Sequence, residues 1–428
     1  MAQNKELPGA YMNFVSKSAA TAALSGRGIA TMALELDWGR EGEIFEVTNG
    51  DFQKNSTEIF GYEYTSDKLR GLRDLFLNTH TLYAYRLNGG GKKAGNSLAE
   101  ARYCGVRGND LKVAVQVNAD DETLFDVKTI LGTEAVDEQT VSQAAELADN
   151  RFLKWKLGIT LEAAAAVPLT GGENGTVSGE DHQAYLDKAE SYAFNTMGAA
   201  VTDDTTKSLY AAYNKRLRDE MGVKFQLVLY DYAKADFMGV ISVNNKVLDE
   251  GWSEAGLVYW VTGASAGCAV NKSNQNRKYD GGFTVDTPYT QSQLKAAIKA
   301  GKFTFHLVGT DVRVLEDVNT MVTVSDTMGD IFKDNQTVRV IDQIGNDIAM
   351  LFNTKYLGVV PNDAAGRISL WSDIVKHHEQ LQEIRAIEDF SDADVTVAQG
   401  ETKKSVVVAD SVTVVNAMGK LYMTVTVA

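Results

Sequence analysis

The pentapeptide at residues 263–267, GASAG, fits the G-x-S-x-G pattern, in which a strained turn exposes a nucleophilic serine, here Ser265. The acidic residues and the histidine that a hydrolytic triad would need follow in the appropriate chain order: Asp280, Asp286 and His306. The surrounding pattern disagrees with this chemistry, because residues 252–269 favour one helix of small residues and His306 falls within a predicted strand. We therefore expect that the chain is not an enzyme, and a serine hydrolase using Ser265 is the alternative.

A second chemical pattern is the glycine-rich segment at residues 89–93, GGGKK, which follows a predicted strand as a phosphate-binding loop would. The spacing G-x-x-x-x-G-K-[ST] is absent, and no convincing helix opens directly behind the two lysines. This segment therefore predicts a turn between domains, and we expect no nucleotide or other cofactor.

The adjacent residues His377 and His378, with Asp373 one helical turn earlier, could begin a metal site. His378 shares an apolar helical stripe with Trp371, Ile374 and Leu381, which favours a packed or interface histidine. We expect His377 and Asp373 to form an i, i+4 pair on the surface. Because the five histidines are scattered along the sequence, we predict no metal site.

Composition restricts the classes of function that are open to the chain. Its 428 residues are too many for one compact core, so about two to four domains are expected. The net charge of -15 argues against nucleic acid as a main partner, since phosphate binding needs clustered lysine and arginine. No apolar run approaches the roughly 20 residues that span a bilayer, and the first residues lack the apolar stretch of a signal peptide. Cys104 and Cys268 are expected to be free thiols in a reducing cytoplasm.

Alternating strands and helices predict an α/β core domain at residues 21–95 and 175–325. The capping pairs Ser178/Asp181 and Thr290/Gln293 each predict a helix start. The elements expected in this domain are a strand at 28–35, a helix at 67–78, a strand at 81–87, a helix from 178 to about Met197, a helix over 205–221 that ends at Gly222, the strand VKFQLVLYD, a helix that ends at Gly301, and the strand KFTFHLV.

Two further domains are predicted from changes in pattern. Residues 96–174 favour a small β-rich insertion, with a hairpin that joins strands at 111–118 and 123–130 and a second strand pair near 152–161. Residues 326–415 favour a C-terminal α+β domain, with helices at 346–357 and 364–387 followed by short strands.

The two ends of the sequence carry strand-like segments without an obvious partner. In residues 420–427 apolar side chains alternate with Tyr422, Thr424 and Thr426, and those apolar residues are Leu421, Met423, Val425 and Val427. Near the other end, Tyr11 and Phe14 follow a Pro-Gly turn. An apolar strand edge left exposed is an aggregation hazard, so we expect both segments to pair with other copies of the chain.

Several stretches, taken in order, resemble the contractile tail sheath proteins of phages and phage-like elements, in the branch common in Gram-positive hosts. They are PGAYMNFVS, ARYCGVRGNDLKVAVQV, YDYAKADFMGVISVNN, TFHLVGTDVRVLEDVNTMVT, TVRVIDQIGNDIAMLFNTKYLG and KLYMTVTVA. These stretches extend over nearly the whole chain, so the resemblance does not depend on a single motif.

The resemblance implies an α/β (α+β multidomain) protein with a central mixed sheet flanked by helices. It adds to the predicted core a protruding β-rich insertion, a C-terminal inner domain, an N-terminal arm at residues 1–20 and a C-terminal arm strand at residues 416–428. Both arms would add strands to a sheet in neighbouring subunits. Six subunits would form a ring, the rings would stack around a tail tube, and the sheath would contract by rearrangement of its subunits to drive the tube through the host cell envelope.

The same resemblance implies partners and a location. The partners would be other copies of the chain, the tail tube protein, and baseplate and tail-terminator proteins, with no nucleic acid and no direct membrane insertion. The protein would be assembled in the host bacterial cytoplasm and belong to the virion tail. The residues expected to face the tube lie on or beside the two C-terminal helices, and they are Lys355, Arg367, Lys376 and His377.

Overall fold

The computed structural model describes residues 24–427. Within that range the chain forms eight α-helices, some of them extended by a short 3-10 or π turn. The helices are α1 Asn49–Phe60, α2 Arg70–Phe76, α3 Gly179–Ala189, α4 Asp204–Arg216, α5 Leu257–Gly267, α6 Gln291–Lys299, α7 Asn335–Leu351 and α8 Ala364–Glu383.

The same residues form 19 strands, most of them short. The strands are β1 Ile29–Leu34, β2 Ile44–Thr48, β3 Thr81–Arg86, β4 Ala99–Ala101, β5 Leu111–Val117, β6 Phe125–Leu131, β7 Glu134–Val141, β8 Leu153–Trp155, β9 Ala164–Pro168, β10 Thr196–Ala199, β11 Gln226–Tyr230, β12 Val240–Val243, β13 Lys302–Phe303, β14 Phe305–Val308, β15 Asp311–Val314, β16 Ile387–Glu388, β17 Val395–Gln399, β18 Val406–Asp410 and β19 Thr413–Val414. The expected mixed α/β multidomain class is confirmed.

The chain divides into two compact units. The larger unit contains the residues up to Thr31, Gly71–His80 and the residues from Glu190 onward. The smaller unit contains Met32–Arg70 and Thr81–Ala189. Strand β1 begins in the larger unit and ends in the smaller one.

The larger unit has the strand order β13-β12-β11-β10-β1, and its pairs from β10 to β13 are parallel. Strand β12 is buried at every position, as expected for a strand covered on both faces. Helix α5 packs on β10, β11 and β12, while α4 contacts β11 and α6 contacts β13. Helix α5 is apolar nearly all round, which is typical of a helix inside a core.

Helix boundaries in the larger unit follow the predicted signals at three positions. Thr290 and Gln293 form a complete capping box in front of α6. Gly222 and Gly301 adopt positive φ values of 78° and 67°, which glycine reaches without steric cost.

The predicted end of the preceding helix near Met197 is wrong, because helix α3 ends at Ala189 and Met197 lies in strand β10. Every residue of β10 is buried and pairs with β11, so strand pairing decides this segment.

The segment KFTFHLV was expected to be one strand, and the structure divides it into β13 and β14. Strand β13 pairs in parallel with β12, whereas β14 forms an antiparallel hairpin with β15. The change of partner occurs at Thr304. Beyond it, the side chain of Asn245 accepts from the Phe305 amide over 2.7 Å and donates to the Phe305 carbonyl over 2.9 Å. These two bonds occupy the backbone of Phe305 and end the parallel ladder there.

The smaller unit is rich in antiparallel strands. Its four-stranded sheet has the order β7-β6-β5-β9, and the predicted hairpin is confirmed by the pairing of β5 with β6. The second predicted strand pair is wrong: β8 pairs with β4, and β9 pairs with β5. One apolar cluster supports the unit, with Trp38 packed edge-on against Tyr103 and stacked on Phe152.

The C-terminal part of the larger unit contains α7, α8 and two small sheets, β16-β19 and β17-β18. Helix α7 begins at Asn335, eleven residues before the predicted start at Asn346. Asp334 caps it by accepting from the amides of Gln336 and Thr337.

Among residues 24–427, no helix is both long enough and apolar enough to span a bilayer.

Candidate functional site

Ser265 cannot act as the nucleophile of a hydrolase in this fold. It lies inside helix α5, its side chain is fully buried, and its Oγ finds no hydrogen-bond partner among residues 24–427. Asp280 instead accepts a bond of 2.8 Å from the indole Nε1 of Trp260. His306 lies in strand β14, as its sequence context predicted. The strained strand-to-helix turn that the pattern G-x-S-x-G requires is therefore not what these residues form.

The two glycines of that pattern have a packing role. A Cβ at Gly263 would collide with the carbonyl oxygen of Leu75, and one at Gly267 would collide with the carbonyl oxygen of Asn78. Helix α5 thus approaches the end of α2 and the residues after it at backbone distance. The pattern GASAG is explained by this close approach, because only glycine leaves the space.

The glycine-rich segment at residues 89–93 is a structured turn. The amide of Lys92 donates to the Glu173 carbonyl, and the amide of Glu173 donates back to Lys92. The amide of Gly90 donates to Glu41 Oε2 over 2.7 Å, and Lys92 Nζ lies 2.8 Å from Glu173 Oε2. Protein acceptors therefore occupy amide groups that a phosphate-binding loop would direct at its ligand.

The two neighbouring histidines of α8 pair with separate carboxylates. His378 is fully buried, as predicted, and its Nε2 lies 2.9 Å from Asp410 Oδ2. His377 is also buried, and its Nε2 lies 2.9 Å from Asp347 Oδ2 on α7. The expected surface pair of His377 with Asp373 is therefore wrong. Burial of the helix face that carries both histidines supplies the reason, and no potential metal cluster occurs in residues 24–427.

The residues expected to face a tail tube differ in their surroundings. Lys355 is partly exposed, and its Nζ lies 2.5 Å from Asp373 Oδ2. Arg367 is half-buried and donates to Asn362, whereas Lys376 is exposed. His377 is 1% exposed, so in this chain it has almost no surface to offer a partner. The tube-facing role of these four residues stays a prediction.

The C-terminal segment at residues 415–427 extends without pairing to any strand in the described part of the chain. Its large apolar side chains are exposed, as is the ring of Tyr422, by these fractions: Met418 102%, Leu421 86%, Tyr422 89%, Met423 76%, Val425 69% and Val427 88%. Apolar residues so exposed on neighbouring positions mark an interaction segment or an aggregation hazard.

Specific bonds hold the root of that segment. The amide of Val415 donates to the Ala386 carbonyl over 3.0 Å. The side-chain amide of Gln336 donates to the Val415 carbonyl over 3.1 Å and accepts from the Ala417 amide over 2.9 Å. The side chain of Asn416 bonds to Thr337 Oγ1 over 3.2 Å. The chain is thus fixed up to Ala417 and exposed beyond it.

At the other end, Tyr11 and Phe14 lie outside the residues that the structure describes. The described chain begins close to Ser25, whose Oγ donates to Asp347 Oδ1 over 2.5 Å. Gln343 Nε2 donates to Ser25 Oγ over 2.7 Å. Sequence reasoning missed Gln336 and Gln343 because it placed the start of α7 too late, although Asp334 offers a capping signal at the correct position. It missed Asp347, which lies inside the predicted helix, because its partners Ser25 and His377 are distant in sequence.

Comparison with known proteins covers nearly the whole chain. Four models of protein-family domains match it in sequence order. They are the tail sheath protein Gp18 domain III N-terminal region at residues 27–87, the phage tail sheath protein beta-sandwich domain at 85–174, the phage tail sheath protein central domain at 175–320 and the phage tail sheath C-terminal domain at 327–428.

Individual proteins agree with these matches. The chain is 36% identical to the sheath tail protein of Desulfitobacterium hafniense, with a TM-score of 0.81 over 91% of this chain and 93% of that one. It is 29% identical to the phage-like element PBSX protein XkdK of Bacillus subtilis (strain 168), over 99% of this chain and 98% of that protein. The helical sheath of the anti-feeding prophage in its contracted state is 13% identical, and its TM-score of 0.56 over 99% of both chains shows a shared fold alone. The chain therefore belongs to the phage tail sheath protein family.

Proposed function

We propose that this protein is the subunit of a contractile tail sheath and polymerises as stacked hexameric rings around a tail tube. The observation that carries the proposal is the C-terminal segment, in which Leu421, Met423 and Val425 are exposed although their alternation is that of a strand with one apolar face. Family membership supports the same role, which is structural and not enzymatic.

The sheet β16-β19 is the proposed acceptor of arms from neighbouring subunits. Its two strands contain two residues each, and within residues 24–427 neither strand has a second neighbour. A two-stranded sheet is marginal by itself, and its open edges offer main-chain donors and acceptors to an added strand. A cavity of about 410 Å³ beside it is lined by Ile387, Phe390 and Val415 together with Gln382, Arg385, Glu388 and Asp389, so it offers an incoming side chain both apolar and polar contacts.

Strand addition explains how such a lattice could contract without falling apart. Main-chain bonds at the arms would persist while the bodies of the subunits slide and rotate, because the segment beyond Ala417 is exposed and is not paired with any strand within residues 24–427. The energy would be stored in the extended lattice at assembly and would need no nucleotide. The proposed partners are the tail tube, baseplate and tail-terminator proteins, with assembly in the host bacterial cytoplasm before incorporation into the virion tail.

Negative-stain microscopy of the purified protein tests this proposal. The full-length chain is expected to form striated cylinders, and a variant lacking residues 420–428 is expected to remain a folded monomer. A sharper comparison places two lysines on one face of the segment, Met423→Lys with Val425→Lys, or on the other, Thr424→Lys with Thr426→Lys. The first pair should abolish polymers and the second should weaken them less, because only the first pair removes apolar burial. Long cylinders from the truncated chain would refute the arm model.

A further inference from the structure

The root of the C-terminal arm and the first described residues after the N-terminal arm are bonded to the same helix. Gln336, in the first turn of α7, holds the chain at Val415 and Ala417. Asp347, near the other end of α7, holds Ser25. We propose that α7 is a bracket that fixes the departure points of both arms at a set separation, and that Gln336 and Gln343 are its positioning residues. This inference rests on the proposed function, since it assigns a role to the arms.

At the C-terminal root, Gln336 acts as a neighbouring strand would. Its side-chain amide donates to the carbonyl before Asn416 and accepts from the amide after it, so one planar group engages the backbone on both sides. Thr337 adds a bond to the Asn416 side chain. Gln336 is 2% exposed, so water competes little for the hydrogen bonds of its side-chain amide.

At the N-terminal root, two side chains of α7 converge on Ser25. Asp347 accepts from both the amide and the hydroxyl of Ser25, over 3.3 and 2.5 Å. Gln343 Nε2 donates to the Ser25 carbonyl over 3.2 Å and to its hydroxyl over 2.7 Å. Ser25 is exposed to solvent, so these bonds fix it without burying it.

The apolar contacts around the roots belong to one cluster. Val340 of α7 is fully buried in it, together with Leu381 and Ile387. Leu24, next to the N-terminal root, and Val414, next to the C-terminal root, both pack against that cluster. The two roots therefore share a core as well as a helix.

Helix geometry gives the bracket its fixed length. Gln336 and Gln343 are seven residues apart, which corresponds to about two turns and roughly 10 Å along the axis. Residues 336, 340, 343 and 347 follow the i, i+4, i+7 spacing of one helix face. An α-helix resists stretching far more than a loop does. The contacts of Gln336 with the C-terminal root and of Gln343 with Ser25 therefore set the distance between the two roots.

Buried ion pairs fasten α7 to the body of the larger unit. Arg218 reaches both oxygens of Asp342 over 2.7 Å, and Arg339 reaches Asp317 Oδ2 over 2.6 Å. A bracket fastened in this way transmits the orientation of the body to both arms. The neighbours bound through those arms would thereby receive a defined rotation and rise.

Variants of the two glutamines test the inference. We would compare Gln336→Ala and Gln343→Ala with Gln291→Ala, an exposed glutamine on α6 of the same unit. In Gln336→Ala the Ala417 amide should exchange with solvent roughly fivefold faster, the effect of losing one hydrogen bond. Melting temperature should fall only slightly below that of the control, because the lost bonds lie at the exposed root of the arm, while cylinders should become irregular in rise and twist when averaged by electron microscopy. Gln336→Met, which nearly keeps the side-chain volume and loses both bonds, should have the same effect on lattice order if the alanine variant folds poorly.

The outcomes distinguish a failure of the proposed role of α7 from a failure of the proposed sheath function. If Ala417 exchanges faster in Gln336→Ala but the cylinders keep the rise and twist of the wild type, the bracket is wrong and polymerisation through arms stands. If the wild-type chain itself forms no cylinders, the proposed function fails, and the bracket fails with it.

Discussion

The guanidinium of Arg339 donates from Nη2 to Asp317 Oδ2 over 2.6 Å, and each side chain is 1% exposed. Asp317 also accepts from the Asn274 amide and from the Asn335 side chain. The charge of Arg339 holds the pKa of Asp317 below its usual value, although complete burial acts in the opposite direction. The pair joins α7 to the segment that follows β15.

Breaking that ion pair should lower the free energy of unfolding substantially. Arg339→Met leaves the Asp317 carboxylate buried without its cation, which typically costs about 3–5 kcal/mol. Urea unfolding followed by circular dichroism would measure the loss. The control Arg313→Met removes a partly exposed pair with Asp311 and should cost less than about 1 kcal/mol. Equal losses in the two variants would contradict this account.

The carboxyl of Asp74 should make stability depend on pH between about 4 and 6. Burial raises its pKa to about 6, despite bonds from the Tyr279 hydroxyl and the Gly282 amide. The folded chain therefore holds this proton more tightly than the unfolded chain, and stability is lost as the pH rises from about 4 to 6. Relative to Asp74→Asn, the wild type should lose about 1.4 kcal/mol per pH unit across that window. Parallel stability curves for the two proteins would show that Asp74 does not titrate there.

The close approach of α5 should make Gly267 intolerant of any side chain. Gly267→Ala would force its methyl group onto the Asn78 carbonyl, and the resulting overpacking should cost about 1–3 kcal/mol. Ser265→Ala in the same helix removes a hydroxyl without a bonded partner among the described residues, so its stability should be unchanged or slightly higher. Thermal unfolding of both variants measures the contrast. Labelling of Ser265 by a serine-reactive probe would revive the hydrolase hypothesis.

A charge reversal at Lys376 tests the predicted tube-facing surface. Lys376→Glu should reduce co-assembly of the sheath with its tube protein, because the proposed contact is to an acidic tube surface. The matched control is Lys295→Glu, an exposed lysine on α6. Sedimentation of mixed assemblies at low salt, where charge effects are strongest, gives the measurement. Normal co-assembly of Lys376→Glu under that condition would count against this surface.

Local signals predicted elements wherever they agreed with the packing around them. The capping box at Thr290 and Gln293, the left-handed cap at Gly222 and the β5–β6 hairpin all appear where the sequence placed them. Met197 was misplaced because sheet pairing with β11 overrides its helical context. Thr304 marks a change of strand partner that only the distant Asn245 reveals.

The sequence predicted those features of the candidate site that depend on local patterns and missed those that depend on distant contacts. The alternation from Leu421 to Val427 identifies an exposed segment without any knowledge of its surroundings. The bonds of Gln336 and Asp347 connect positions up to 322 residues apart, and no local pattern indicates them. The burial of His377 was missed because its partner Asp347 lies 30 residues away on α7, and no local pattern indicates that pair.

The exposed C-terminal segment also has a kinetic consequence. Each free subunit would carry both an unpaired apolar strand and an open acceptor sheet, so any two subunits that meet could associate out of sequence. Ordered growth then requires that addition to an existing end outpace this random pairing. The yield of regular cylinders should therefore fall as the concentration of unseeded subunits rises, and short pre-formed ends should restore it.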